Sequence, residues 1–202
     1  MRWTQFGVFS SHIRYHGTSK REPWSYPAIA SIVKKWWKLR YALIPYIMEQ
    51  SEKATRTGYP VLRALIFHHP EDKLCWHIDD EYYFGNDFLV APVMNSENRR
   101  DIYLPEGKWV NFFTGEHLEG ACWLRDVYVP LEEMPVYVRA NAVIPIYSED
   151  VDCTDEMDLS KSMALRIDND YKGFWNSSPQ ITQIDTDDKG CLLYTSPSPR
   201  DY

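Results

Sequence analysis

No stretch of this chain approaches the ~18 consecutive apolar residues a membrane-spanning helix needs, which excludes an integral helical membrane protein. Glycine is scarce, 9 residues against 13 prolines in 202, and the sequence has no phosphate-cradling glycine loop, no nucleophile elbow and no HExxH helix. Cysteine is scarcer still: four residues without metal-type spacing point to neither a disulfide scaffold nor a structural zinc site. The opening MRWTQFGVFSSHIRY has one early Arg and only a short mixed run, a poor signal peptide. What is present is a 44% apolar, 15% aromatic chain with enough hydrophobic mass for a sizeable core, long enough for one or two globular domains.

Charge is divided unevenly. Residues 1–64 carry 11 Lys+Arg against 3 Asp+Glu, a net of +8, and residues 65–202 carry 11 against 26, a net of -15, within an overall -7. Such asymmetry predicts at least two structural units, or one unit attached to something larger. The Lys34-Lys35-Trp36-Trp37-Lys38 run mixes cations with aromatics, as nucleic-acid binders do. A solvated helix face accounts for it more simply, and no nucleic-acid partner is expected.

The first part reads as helical. Ile29, Ile32, Val33, Trp36, Leu39, Leu43, Tyr46 and Ile47 recur at spacings of three and four and predict a long helix over residues 28–57. Pro27 suits its start, Gly58 suits the residue past its end, and Pro45 should kink or break it. A second helix is expected over about residues 2–9. Between them, Ser11-His12-Ile13-Arg14-Tyr15-His16-Gly17 reads as a short strand. Alternation puts His12, Arg14 and His16 on one face and Ile13 and Tyr15 on the other. A helix, a strand with one polar face and a long helix form a βα-type arrangement. In (β/α) barrels reactive residues gather at the C-terminal ends of strands, the kind of position His16 occupies.

After residue 60 the texture changes to short apolar runs about ten residues apart, separated by Gly and Pro turns, as in an all-β sandwich or barrel. The expected strands are 61–67, 88–93, 100–104, 108–113, 127–130, 136–139 and 142–146, with one or two more in 163–184. Residues 149–158 hold six acids and no base and read as a solvated loop or linker; the spacing and central glycine of a calcium loop are missing. His68, His69, Cys75, His77, Asp79 and Asp80 are potential metal ligands in no known spacing, and a solvated turn is the simpler account. Trp109, Phe112, Phe113 and Trp123 could form a sugar-stacking platform, but aromatics at strand spacing are more often core. Residues 191–202 match neither the preceding pattern nor a natural domain end and read as a non-native tail, which leaves three native cysteines.

Several stretches, in order, resemble glycoside hydrolase family 31, the α-glucosidase and α-xylosidase family. They are Arg2–Gly7, Ser10–Gly17, Leu39–Tyr46, Gly85–Val93, Tyr103–Trp109 and Met134–Ala140, spanning about residues 2–147. The Ser-Ser-His-x-Arg-x-His-Gly form is similar to the α-xylosidase branch. The resemblance implies the end of a (β/α)8 TIM barrel in residues 1–60 and an antiparallel β-sandwich in 61–148. Residues 149–190 would be a truncated start of a distal β domain. It implies retaining hydrolysis of α-xylosides or α-glucosides by two Asp residues, nucleophile and acid/base, that lie upstream of the matched region. The fragment would then be inactive by itself and would expose helix faces meant for missing strands. It further implies that His16 hydrogen-bonds the sugar where cleavage occurs. Arg14 lies near that site, with a barrel-interior salt bridge as its structural alternative. A carbohydrate substrate is expected, with no cofactor, no metal and no membrane partner, and the parent enzyme is compatible with a homo-oligomer. Three unpaired cysteines favour a reducing, cytoplasmic setting. The competing reading is a non-catalytic carbohydrate-binding or accessory β-sandwich module.

Overall fold

The computed structural model describes residues 1–19, 22–176 and 181–183, so the expected non-native tail 191–202 lies outside the described residues. Three α-helices open the chain: α1 (Arg2–Val8), α2 (Pro27–Ala42) and α3 (Ile44–Thr57). The long apolar periodicity is thus two helices. The break falls at Leu43, because Pro45 can be accommodated only within the first turn of a new helix. Gly58 adopts φ 78° and its N–H caps the Ala54 carbonyl at 2.9 Å, ending α3 as a left-handed C-terminal glycine does.

Eleven short strands follow: β1 (Leu62–Arg63), β2 (Tyr82–Phe84), β3 (Phe88–Val90), β4 (Arg99–Leu104), β5 (Lys108–Asn111), β6 (His117–Glu119), β7 (Cys122–Tyr128), β8 (Val136–Arg139), β9 (Val143–Ile146), β10 (Met163–Arg166) and β11 (Ile181–Gln183). They pair antiparallel into a six-stranded sheet in the order β1-β2-β3-β8-β5-β6, a β4-β7 ribbon and a β11-β10-β9 sheet.

The six-stranded sheet is covered on both faces, and side-chain alternation shows how. Phe84, Phe88, Val90, Val110, Val136 and Val138 belong to one core, shared with Trp36, Leu39, Leu43 and Tyr46 of the helices. Tyr83, Leu89, Trp109 and Tyr137, one residue out of phase, belong to a second core under the β4-β7 ribbon with Ile102, Tyr103 and Leu104. The α2–α3 face carrying Trp36, Leu39 and Tyr46 is therefore packed on the sandwich, while Trp3 of α1 and Met48 of α3 stay exposed. Polar contacts reinforce the junction: the 129–132 backbone accepts from Arg2 (Val129 O, 2.8 Å), Gln5 (Leu131 O, 2.9 Å) and Trp36 (Glu132 O, 3.1 Å).

Four sequence expectations need correction. Residues 61–67 form only the two-residue β1 and then a 3-10 turn (Leu65–Phe67). The run is interrupted by Arg63, whose guanidinium is buried and bonded to Pro60 O, Asn86 and His68. Strands β2 and β6 were not expected; Tyr82–Phe84 follows an acidic run that reads as turn. The acidic stretch 149–158 is no free linker: Lys38 of α2 pairs with Asp150 and bonds the Val151 carbonyl at 2.9 Å, and Val151 is buried. The charge split thus partly closes within the molecule. Residues 12–16 form no ladder, because a barrel strand pairs with parallel neighbours on both sides and the described chain supplies none.

Candidate functional site

The segment after α1 is ordered from one side only. Gly7 leaves no room for a side chain beside Ile13: an added Cβ would collide with the Ile13 side chain. The Tyr15 hydroxyl lies 2.6 Å from Thr4 Oγ1, and its ring packs near Trp37 at 5.9 Å. Ile13 and Tyr15 are half-buried, while His12, Arg14 and His16 are exposed. The period-2 alternation read from the sequence therefore holds in the burial pattern, although the ladder does not form.

On the open face the structure brings Arg14 and His16 together: Arg14 Nη2 lies 2.6 Å from His16 Nδ1. Arginine has no acceptor, so Nδ1 accepts and the neutral ring carries its proton on Nε2. His12 stands apart, with Ser11 Oγ 3.0 Å from its own Nδ1. A cavity of about 180 Å³ lined by Thr4, Tyr15, Pro23, Ile29 and Val33 lies on the Tyr15 side.

Sequence reasoning missed Arg40 as a structural element of this site. It donates from α2 to the Val8 carbonyl at 2.9 Å, to the Ser10 carbonyl and to the Ser11 carbonyl at 2.9 Å. Burial lowers its pKa to about 10. A signal was available: Arg40 lies four residues after Trp36 and three before Leu43, on the apolar face of its helix, where a lone cation needs partners.

Residues 1–50 contain Glu22 and Glu49 and no Asp, and Glu49 is paired with Lys53 at 2.6 Å.

Within the histidine-rich stretch, His68 and His69 belong to a half-buried polar network, while His77, Asp79 and Asp80 are exposed, as in a solvated turn. Arg63 reaches His68 Nε2 at 3.0 Å, and His69 Nε2 lies 2.8 Å from the Tyr83 hydroxyl, which also receives Arg139 at 3.2 Å. Burial, followed by Arg63 and Arg139, lowers the His68 pKa to about 4. No group of three metal-binding side chains converges among the described residues, and Cys75, Cys122 and Cys153 are free thiols. Trp109 and Phe112 are fully buried, and Phe113 and Trp123 are half-buried, so the core reading of these aromatics holds for the first two.

Comparison with known proteins adds the family. Residues 1–50 match the glycosyl hydrolases family 31 TIM-barrel domain, and residues 58–144 match the glycosyl hydrolase family 31 C-terminal domain. Alpha-glucosidase 2 of Bacillus thermoamyloliquefaciens is 35% identical over 150 residues, covering 72% of this chain and 19% of the relative. An alpha-xylosidase of Saccharolobus solfataricus is 35% identical over 160 residues, covering 77% of this chain and 22% of the relative. Among solved structures, the GH31 dextranase of Flavobacterium johnsoniae complexed with glucose superposes with a TM-score of 0.66 at 35% identity, covering 72% of this chain and 18% of that one. The chain spans about a fifth of the length of these relatives. Two consecutive domain matches in family order, on a fold that pairs the end of a TIM barrel with an antiparallel sandwich, show that the chain belongs to glycosyl hydrolase family 31.

Proposed function

We propose that this chain is part of a retaining α-glycosidase that hydrolyses the O-glycosidic bonds of α-xylosides or α-glucosides. In this reading the chain supplies a sugar-contacting residue rather than the chemistry. His16 donates from Nε2 to a hydroxyl oxygen of the sugar at the cleavage position, and Arg14 stands behind it. Residues 1–60 complete the barrel, 61–148 form the proximal sandwich and 149–190 begin a distal β domain.

The observation that carries the reading is the exposed Arg14–His16 pair, 2.6 Å apart, on the polar face of a segment within the barrel match. Retaining hydrolysis needs two carboxyl groups about 5–5.5 Å apart across the bond to be broken. Glu22 and Glu49 are the acids available in residues 1–50, and the ion pair to Lys53 engages the second, so the nucleophile and the acid/base are assigned to residues outside this chain. The relatives named alpha-glucosidase and alpha-xylosidase, and the dextranase solved with glucose, support the substrate class. The burial of Trp109 and Phe112 weakens the accessory sugar-binding module, because those rings are committed to the cores.

The test is to incubate the 202-residue chain with the 4-nitrophenyl α-glycosides of xylose and glucose, and to follow the His16 ring resonances during xylose and glucose titrations. No nitrophenol release and a saturable His16 shift, lost in His16→Ala, are expected. Turnover by this chain would refute the placement of the carboxylates. A folded chain whose His16 resonances ignore both sugars would refute the sugar contact.

A further inference from the structure

Arg40 of α2 lies outside the Ser10–Gly17 segment, yet it bonds the backbone at the start of that segment. It is 9% exposed among the apolar residues of α2, and its hydrogen bonds go to three carbonyls rather than to a carboxylate. A buried guanidinium without a counter-ion is strongly unfavourable unless its donors are well satisfied. The acceptors here are in need of donors themselves. Val8 ends α1, so its carbonyl has no partner within the helix, and Ser10 and Ser11 lie in the turn beyond. The cation also sits at the negative end of the short helix. One planar fork serves divergent acceptors that a point-like ammonium would serve with less fixed geometry.

We infer that Arg40 is a positioning residue for His16, acting through this three-carbonyl clamp. The inference rests on the sugar-contacting reading of His16 proposed above. The connection runs through named contacts. The clamp fixes Ser10 and Ser11, and the Ser10 hydroxyl lies 2.7 Å from Gly7 O and 2.8 Å from His12 O, which sets the exit direction from α1. Ile13 then seats on Gly7 and the Tyr15 hydroxyl on Thr4. With Ile13 and Tyr15 seated inward, Arg14 and His16 are turned outward together, close enough for the bond that fixes the His16 tautomer. Loss of the clamp frees the start of the segment and lets the Arg14–His16 bond come and go.

The experiment reads that bond directly. Long-range nitrogen–proton spectra of the full chain distinguish a ring with Nδ1 as fixed acceptor from one that averages both tautomers. They are recorded at alkaline pH, where an imidazole ring is neutral, and well below the melting temperature of each variant, with circular dichroism confirming the helices. Arg40→Met removes every donor, and Arg40→Gln can serve about one carbonyl. Both are expected to collapse the separation between the Nδ1 and Nε2 shifts. They are also expected to weaken the xylose response of His16 about tenfold, the equivalent of roughly 1.4 kcal/mol. Arg40→Lys keeps the charge but not the fork and is expected to lose part of the separation. Any folded variant of the three with the wild-type nitrogen pattern overturns the proposal, so Arg40→Lys decides it if the other two do not fold. The spectra without sugar test the clamp alone. A wild-type chain that shows the fixed tautomer but ignores xylose refutes the sugar contact and leaves the clamp intact.

Discussion

The Tyr46 hydroxyl lies 3.1 Å from Asp87 Oδ2, joining the last helix of the barrel part to the β2–β3 turn of the sandwich. The same oxygen lies 3.1 Å from the Phe84 carbonyl and receives the Asp87 N–H at 3.1 Å. Tyr46 is fully buried, and desolvation pushes its hydroxyl well above the usual tyrosine pKa, so it stays a neutral donor.

Tyr46→Phe is therefore expected to destabilise the chain by about 2 kcal/mol, since it leaves a desolvated carboxyl group and a backbone N–H without their partner. Urea denaturation should show a lower midpoint with an unchanged slope. A midpoint within error of wild type would mean that water replaces the hydroxyl at no cost.

Gly85 meets the same tyrosine. It adopts φ 65°, and a side chain there would strike the Tyr46 hydroxyl and come within 2.7 Å of Gln50 Cγ. Gly85→Ala is expected to cost about 2–4 kcal/mol, from backbone strain and overpacking together. Because Tyr46→Phe removes the struck oxygen, the double variant should be more stable than the sum of the singles implies. Strict additivity in the cycle would show that the cost does not lie in the contact with the Tyr46 hydroxyl.

Glu81 gives stability an unusual pH dependence. Its side chain is fully buried, Oε1 accepts from the Tyr103 N–H at 2.8 Å and lies 3.4 Å from Arg100, and Oε2 has no partner. Desolvation outweighs the Arg100 charge and raises the carboxyl from 4.5 to about 7. The folded state then holds this proton more tightly than the unfolded chain. Its contribution is complete below the unfolded value and is lost as pH rises through about 7. Glu81→Gln should remove that loss. The opposing His68 proton, whose contribution rises with pH, then acts alone: the variant should gain stability from pH 5 to pH 8, where wild type changes little, and an unchanged difference would count against the assignment.

His68 acts in the opposite sense. Its pKa falls from 6.5 to about 4, so the unfolded chain binds the proton first, and stability is lost as pH falls from 6.5 through 4. His68→Gln keeps an acceptor for Arg63 and should flatten the acid limb. The Glu81 and His68 windows overlap, so wild type alone should look nearly pH-insensitive around pH 5–6. The two variants should separate the opposing slopes, and parallel wild-type and His68→Gln curves from pH 7 to pH 4 would refute the assignment.

The parts of the fold legible in sequence were those set by local geometry. Pro45 announced the helix break, Gly58 the helix end, and the alternation of His12 to His16 the two faces of the segment. What stayed hidden depends on partners distant in the chain. The run from Val61 to Phe67 looks like a strand until Arg63 is seen bonded to Asn86, 23 residues away. His68 and His69 look solvated until Arg63 and Tyr83, itself bonded to Arg139, are seen beside them. The shared exposed face of Arg14 and His16 was readable from alternation, whereas the contacts of Arg40 became visible only with the carbonyls of Val8, Ser10 and Ser11 around it.

The first family match, 1–50, ends inside α3 and the second, 58–144, begins just past it; Tyr46, Ile47 and Gln50 of that helix are buried. Tyr46 and Ile47 sit in the same core as Phe84, Phe88 and Val138 of the sheet. The line that divides the family into barrel and C-terminal domain thus runs beside side chains packed into one shared core. For recombination between relatives, the heritable module is the sandwich together with α2 and α3, and a crossover at residue 50 would exchange one half of a single hydrophobic core.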